Sequence, residues 1–358
     1  MTDPGQRLRS SLTADQSAST VEFDSPIAME ALRATQVLHA ADQEPFPAPG
    51  RIRVITIANQ KGGVGKTTSS VNLGVALALY GLRTLVVDLD PQGNTSTALG
   101  VDHSVGTPSV YDALVGDSSL ADVVHPTTAT PLLSCVPATI DLAGAEIELV
   151  SVVAREYRLR RAIETYLQEL PQERRPHYVL IDCPPSLGLL TLNALVAGDE
   201  VLIPIQCEYY ALEGLGQLLN NIDLVRRHLN PGIAVRTILL TMYDGRTRLA
   251  DQVAEEVRNH FGSLVLDAVI PRNVRVSEAP GYGQSVVTYD PGSRGSTSYV
   301  EAARELARRG VALPPLASRP APGSPVAAPL GPAADVMAFP GTDAATVPVP
   351  PSPEENKA

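Results

Sequence analysis

RIRVITIANQKGGVGKTT, residues 51 to 68, reads as a strand, a glycine-rich turn and the opening of a helix. Val54, Ile55 and Ile57 form the apolar, β-branched run expected of a strand buried on both faces of a parallel sheet. Gly62, Gly63 and Gly65 remove the Cβ atoms that would hold backbone N–H groups away from a phosphate. The first turn of the following helix leaves its own N–H groups unpaired, so the stretch forms an anion cradle. The common phosphate loop, G-x4-G-K-[ST], would place its first glycine at position 60, where Gln60 stands. In its place a second lysine, Lys61, heads the loop Lys61-Gly62-Gly63-Val64-Gly65-Lys66-Thr67. Of 28 basic residues 25 are arginine, and Lys61 and Lys66 are the only lysines apart from Lys357 in the tail. A compact ammonium fits a phosphate pocket that a broad guanidinium does not.

Outward from the loop, Thr67 to Tyr80 is amphipathic and stops at Gly81. A strand from Thr84 to Asp88 runs into Asp88-Leu89-Asp90-Pro91-Gln92-Gly93-Asn94, whose aspartates at i and i+2 share one side of an extended backbone. Both fall at the carboxyl end of a parallel strand, where doubly wound sheets bind ligands, although Asp88 is equally suited to capping the following turn. Tyr178 to Asp182 has the form of a Walker B strand, an apolar run ending in an acid near a magnesium ion, and Pro184 and Pro185 stiffen the loop after it. Further helices are expected over Ser109–Leu114, Asp141–Leu149, Arg155–Leu170, Leu187–Val196, Ala211–Leu229 and Arg248–Phe261. Strands are expected over Leu132–Val136, Glu200–Ile205, Ala234–Thr241 and Leu264–Ile270. A last helix, Ser298 to Arg309, has Ser298 and Glu301 at capping-box spacing and Gly310 beyond its end. This alternation implies one α/β domain over residues 51–310, a mainly parallel twisted sheet with helices on both faces. Residues 1–50 read as a mostly disordered arm with a transient helix over Pro26–Ala41, and 311–358 as a disordered Pro/Ala-rich tail.

A hydrophobic content of 44% supplies a core, and a net charge of -11 with pI near 5.1 excludes wholesale coating of nucleic acid while leaving room for a local basic patch. Cys135, Cys183 and Cys207 are scattered without metal-ligand spacing and are expected as buried, reduced thiols. The N-terminus lacks a signal-peptide core, and no apolar run approaches the roughly 18 residues of a membrane span, so a soluble, cytoplasmic protein is expected.

The KGGVGKT loop, taken with VDLDPQGN and IDCPPS, resembles the deviant P-loop ATPases of the ParA/MinD family over residues 51 to 310. CEYYALEGL, LTMYDGRT and IPRNVRVSEAP are similar to the chromosomal, Soj-type ParA partition ATPases within it. The resemblance implies ATP and Mg²⁺ as cofactors. It implies that the backbone of Gly62, Gly63, Val64, Gly65, Lys66 and Thr67 cradles phosphates, that Lys66 bridges β and γ oxygens and that Thr68 reaches the α-phosphate. Thr67 would ligate Mg²⁺, Asp182 would hold a magnesium-bound water, and Asp90 would orient the attacking water. Lys61 would reach across a nucleotide-sandwich homodimer to the other subunit's phosphates. Pro271 and Asn273 belong to the adenine-binding loop, where Arg272 has a structural or nucleotide-side role as open to it as DNA contact. Arg246 and Arg275 match positions of non-specific DNA contact, with Arg248 close by; ordinary surface arginines are the plainer reading of all four. Tyr209, Tyr210 and Glu213 are expected to serve core and dimer packing. The implied function is chromosome or plasmid partitioning: an ATP dimer held on nucleoid DNA and released when a ParB-type centromere-binding protein stimulates slow hydrolysis. The alternatives are a MinD-like positioning ATPase, for which PVPPSPEENKA offers no basic amphipathic helix, and a nucleotide-switched scaffold docking polar or cell-division proteins through the tails. An iron–sulfur carrier would need a C-x-x-C pair that the sequence lacks.

Overall fold

The computed structural model of the protein describes residues 44–209 and 215–313. Its centre is a sheet of eight strands: β1 (Arg53–Ile57), β2 (Thr84–Asp88), β3 (His125–Pro126), β4 (Leu133–Val136), β5 (Tyr178–Asp182), β6 (Glu200–Gln206), β7 (Ala234–Tyr243) and β8 (Val265–Pro271). They lie in the order β3-β4-β2-β5-β1-β6-β7-β8, and every pairing except the β3–β4 edge is parallel. β1, β2 and β5 are buried along their whole length, which is why they read as continuous apolar runs. Their registers bring their ends level: Asp182 lies opposite Ile57 on one side and Asp88 on the other.

Each face of the sheet carries its own core. On one, Leu142, Leu159, Ile163, Leu190, Leu218 and Val253 cover Val54, Val87, Val179 and Ile203. On the other, the Lys66–Leu79 helix and the Arg294–Val311 helix pack through Val71, Leu77, Tyr299 and Leu306 against Ile55, Val86 and Leu180. Gly74 lets the first helix approach closely, since a Cβ there would stand 2.9 Å from the Val86 side chain. Arg53 ties the last helix to the sheet: its buried guanidinium donates to both Glu200 carboxylate oxygens at 3.0 and 2.6 Å and to the Leu306 carbonyl at 2.6 Å. No helix among the described residues is long and apolar enough to cross a membrane.

The last helix differs from expectation. It starts at Arg294, capped by Ser293, whose side chain accepts from the Ser296 N–H at 3.2 Å. Ser298 therefore lies in the helix interior and Gly310 inside its final turn. The Ser-x-x-Glu spacing at 298–301 outweighed the stop set by Asp290-Pro291-Gly292, after which small residues carry the helix toward buried Tyr299 and Val300. Short helices at Asn94–Ala98, Val274–Glu278 and Val286–Tyr289 were not anticipated, being too short for periodicity to register. Ahead of residue 51, Phe46 is buried, stacks on Tyr80 at 4.2 Å and receives the Arg304 guanidinium over its ring. The transient helix of the arm, the tail beyond 313, and Tyr210, Glu213 and the first turn expected from Ala211 fall outside the described residues. Tyr209 is 76% exposed, which rules out core packing for it. All three cysteines are free and buried.

Candidate nucleotide site

The cradle forms where β1 ends. Gly63 and Gly65 adopt φ of 73° and 90°, and a Cβ at Gly62 or Gly63 would meet nothing within 4 Å, so the loop surrounds open space. Three bonds fix the loop from outside. Asn59 donates to the Pro204 carbonyl at 2.8 Å and accepts from the Lys61 N–H at 3.1 Å, and Thr241 donates to the Val64 carbonyl at 2.8 Å. Gly65 then caps the Lys66–Leu79 helix without any side chain, leaving the first-turn N–H groups to an outside acceptor. Lys66 is 7% exposed, and among the described residues its ammonium makes one long hydrogen bond, 3.4 Å to the Lys61 carbonyl. Burial pulls its pKa below the ordinary value against the opposing pull of Asp182, Cys183 and Asp90. A buried cation with so little compensation fits an incoming polyanion.

Asp182 faces the same space from the end of β5. Its carboxylate accepts from the Ser70 hydroxyl at 3.0 Å and the Thr95 hydroxyl at 2.8 Å, and the nearby Thr67 hydroxyl favours its charged form. Burial raises its pKa, opposed by those three hydroxyls and by Lys66. The hard oxygens gathered here suit Mg²⁺. Among the described residues no three His, Cys, Asp or Glu side chains converge as a metal cluster, so a cation would draw on Thr67 and on a ligand's own oxygens.

The two aspartates after β2 separate into different tasks. Asp88 is fully buried and accepts from the Ser96 N–H at 2.9 Å, the Ser96 hydroxyl at 2.7 Å and the Asp90 N–H at 3.1 Å. It thereby caps the Asn94–Ala98 helix, whose own N-cap is Gly93. Burial, and then the neighbouring Asp182, raise its pKa. Asp90 is half-buried; its carboxylate accepts from the Gln92 N–H at 3.0 Å and its carbonyl from the Gly93 N–H at 2.9 Å. The rest of the site is a cleft of about 290 Å³ beside Thr67 and Thr68, lined also by Asn72, Asn94, Pro280 and Gln284. Those four, with Ser70, Thr95 and Ser96, were missed in the sequence; small polar residues at i+3 from Thr67 and just after Gly93 were the available signal.

The Lys61 ammonium lies 3.6 Å from a Glu208 carboxylate oxygen. Pro271 and Asn273 do not line the cleft. Asn273 caps the Val274–Glu278 helix by accepting from the Arg275 N–H at 2.8 Å. The two arginine loops meet: Tyr243 is level with Pro271, and the Arg272 N–H donates to the Tyr243 carbonyl at 2.9 Å. Arg246 and Arg275 are both exposed and both paired with neighbouring acids. Arg246 donates to Asp244 at 2.8 and 2.7 Å, while Arg275 is 2.9 Å from Glu278 and 3.2 Å from Asp290. Arg248 opens the Arg248–Phe261 helix on the same side.

Residues 52–235 match a family model described as an AAA domain. The chain is 54% identical over 258 residues to the sporulation initiation inhibitor protein Soj of Bacillus subtilis, spanning 72% of this chain and 99% of that one. It is 52% identical over 257 residues to the chromosome partitioning protein ParA of Myxococcus xanthus, spanning 72% and 88%. Among solved structures it is similar to a cobyrinic acid a,c-diamide synthase of Mycobacterium smegmatis with bound ATP analogue and magnesium, at 39% identity and TM-score 0.61, covering 72% and 95%. The cell division ATPase MinD of Pyrococcus furiosus aligns at 29% identity and TM-score 0.57, covering 72% and 99%. With its deviant phosphate loop, its Walker B strand and relatives that match it across nearly their whole length, this chain belongs to the Soj/ParA family of chromosome-partitioning proteins.

Proposed function

We propose that the protein is an ATP-driven partitioning switch whose dimer binds DNA without sequence preference and lets go after hydrolysis. The observation that carries this reading is the poorly compensated, buried Lys66 near an Asp182 bonded to Ser70 and Thr95, in a loop built around open space. In this reading the N–H groups of Gly62 to Thr67 bind the phosphates, Lys66 offsets charge at the β and γ oxygens and Thr68 meets the α-phosphate. Mg²⁺, when bound with ATP, supplies further charge neutralisation. Thr67 would be its protein ligand, Asp182 would orient that hydroxyl and the ion's hydration, and Asp90 would orient the attacking water. Pro271 and Asn273, which stand outside the cleft, would meet the base only through the loop that joins β8 to the Val274–Glu278 helix. Lys61 completes the partner subunit's site, which makes ATP part of the dimer interface.

No arginine finger faces the cradle among the described residues, and such a group is worth on the order of 10³ to 10⁵ in rate. Basal turnover is therefore slow and the ATP state long-lived, until a ParB-type partner stimulates it. Arg246 and Arg275 contact DNA phosphates, which places the dimer on the nucleoid. The test is to measure dimerisation and duplex binding with ADP, ATP and a non-hydrolysable analogue, with and without a cognate ParB-type protein. ATP and the analogue should both give DNA-bound dimers, and the partner should release only the ATP form. Equal DNA binding in ADP and ATP overturns the switch.

A further inference from the structure

The opposite edge of the sheet holds a second concentration of positive charge. β2, β5 and β1 are neighbours and parallel, so the residues entering them emerge side by side, about 4.8 Å apart per strand. Those residues are Arg83 before β2, Arg175 and His177 before β5, and Arg51 before β1. All four line one open cavity of about 560 Å³, with Glu173 the sole carboxylate on its wall.

Arg83 and Arg175 are held in place by neutral partners. Arg83 donates through Nε to the Arg175 carbonyl at 2.8 Å, and Arg175 donates through Nε to the Leu170 carbonyl at 3.0 Å. Neither bond cancels a charge, and each leaves further N–H groups of the fork available. His177 is locked through its backbone, donating to the Arg83 carbonyl at 2.7 Å, and its Nδ1 accepts from the Arg83 N–H at 3.0 Å. The ring proton therefore sits on Nε2, a donor. Arg51 is the least satisfied member: its Nε and Nη1 are buried with no hydrogen-bond partner among the described residues. Its nearest carboxylates, Asp199 at 3.9 Å and Glu200 at 3.6 Å, are long, and Glu200 is already bidentate to Arg53. Three guanidinium groups at the entrances to adjacent strands, one of them lacking partners for buried donors, form a preorganised receptor for a multiply charged oxyanion.

We propose that this cavity is a second phosphate-binding site, at the sheet edge opposite the nucleotide cradle and independent of it. Its ligand is a phosphate-bearing anion, either a free di- or polyphosphate or a backbone phosphate of a nucleic acid.

The experiment is calorimetric titration of the full chain, with its cradle saturated by ADP, using inorganic pyrophosphate. Wild type should bind one further equivalent. The double variant Arg83→Gln/Arg175→Gln should lose at least tenfold in pyrophosphate affinity while ADP affinity stays within twofold. Arg175→Gln alone should lose about threefold, with the same thermal unfolding midpoint as wild type. A duplex added to the pyrophosphate complex separates the sources: displacement identifies a backbone phosphate, and continued pyrophosphate binding identifies a free anion. Absence of a second equivalent in wild type, or unchanged affinity in both variants, overturns the site.

Discussion

The phosphate loop and the arginine loops after β7 and β8 lie at the same edge of one sheet, yet they hold positive charge in opposite ways. Lys66 is buried, with a single 3.4 Å hydrogen bond among the described residues, in a loop pinned by Asn59 and Thr241. Arg246 and Arg275 stand in the open, each already paired with a carboxylate two to fifteen residues away in sequence. A buried, poorly compensated cation binds its ligand by relieving a cost already present in the fold. An exposed, paired arginine must exchange one anion for another. The first arrangement gives a committed site, and the second a surface whose affinity is set by competition and by salt.

The largest expected effect lies in the cradle. Lys66→Ala should lower ATP hydrolysis by about 10²-fold or more, the scale for removing one preorganised donor to developing charge, and should weaken nucleotide binding in a filter or fluorescence assay. Near-normal turnover would erase the contrast, because the buried ammonium would then be structural. Lys61→Ala should leave monomer nucleotide binding nearly intact and impair ATP-dependent dimerisation by light scattering, since its ammonium is paired with Glu208. Dimerisation equal to wild type would remove its role across the interface. Asp90→Ala should bind ATP and remain dimeric with its turnover stopped, and ordinary turnover would reassign the water-orienting role.

The comparison also explains what the sequence disclosed. Val54, Ile55 and Ile57, the glycines of the loop and the run ending at Asp182 were legible because a buried parallel strand and an anion cradle each restrict residue type at every position. The partners of Asp182 were not legible, since Ser70 and Thr95 are ordinary helix residues until the fold brings them to one carboxylate. Asp88 shows the same limit from the other side. Its sequence spacing admitted chemistry or capping, and three hydrogen bonds from Ser96 and Asp90 settle its contacts in favour of capping. The acids beside Arg246 and Arg275 were visible as letters, but their pairing depends on loop geometry that periodicity does not report.

Asp88→Asn gives an intermediate effect and tests whether the cradle's acids share one role. An amide can keep its oxygen toward Ser96 but then turns its NH₂ toward the Asp90 N–H, so one buried donor is left facing another. Thermal or denaturant unfolding of the nucleotide-free protein should show a loss of about 1–3 kcal/mol, with Mg²⁺-dependent nucleotide binding largely kept. Unchanged stability together with lost Mg²⁺ dependence would move Asp88 from the scaffold to the cation site.

The smallest effects concern the arginines, and their signs are what separate the readings. A phosphate contact on duplex DNA contributes about -0.9 to the slope of log affinity against log salt. Arg275→Glu in the ATP dimer should weaken binding to unrelated duplexes alike and make that slope shallower by about 0.9, with dimerisation retained in gel filtration. Arg246→Glu should behave the same way. Asp244→Asn should do the reverse by a few-fold, because it removes the carboxylate that holds Arg246 at 2.7 Å without removing the contact itself. Its salt slope should stay that of wild type while the whole line shifts to tighter binding. Glu278→Gln should give a smaller gain, since Asp290 still holds Arg275 at 3.2 Å. If Asp244→Asn leaves affinity unaltered and Arg275→Glu keeps the wild-type slope, these loops are not where DNA is bound. Loss of dimerisation in Arg275→Glu would instead mean that its pairs with Glu278 and Asp290 hold the Val274–Glu278 helix in place, and that the charge serves the fold.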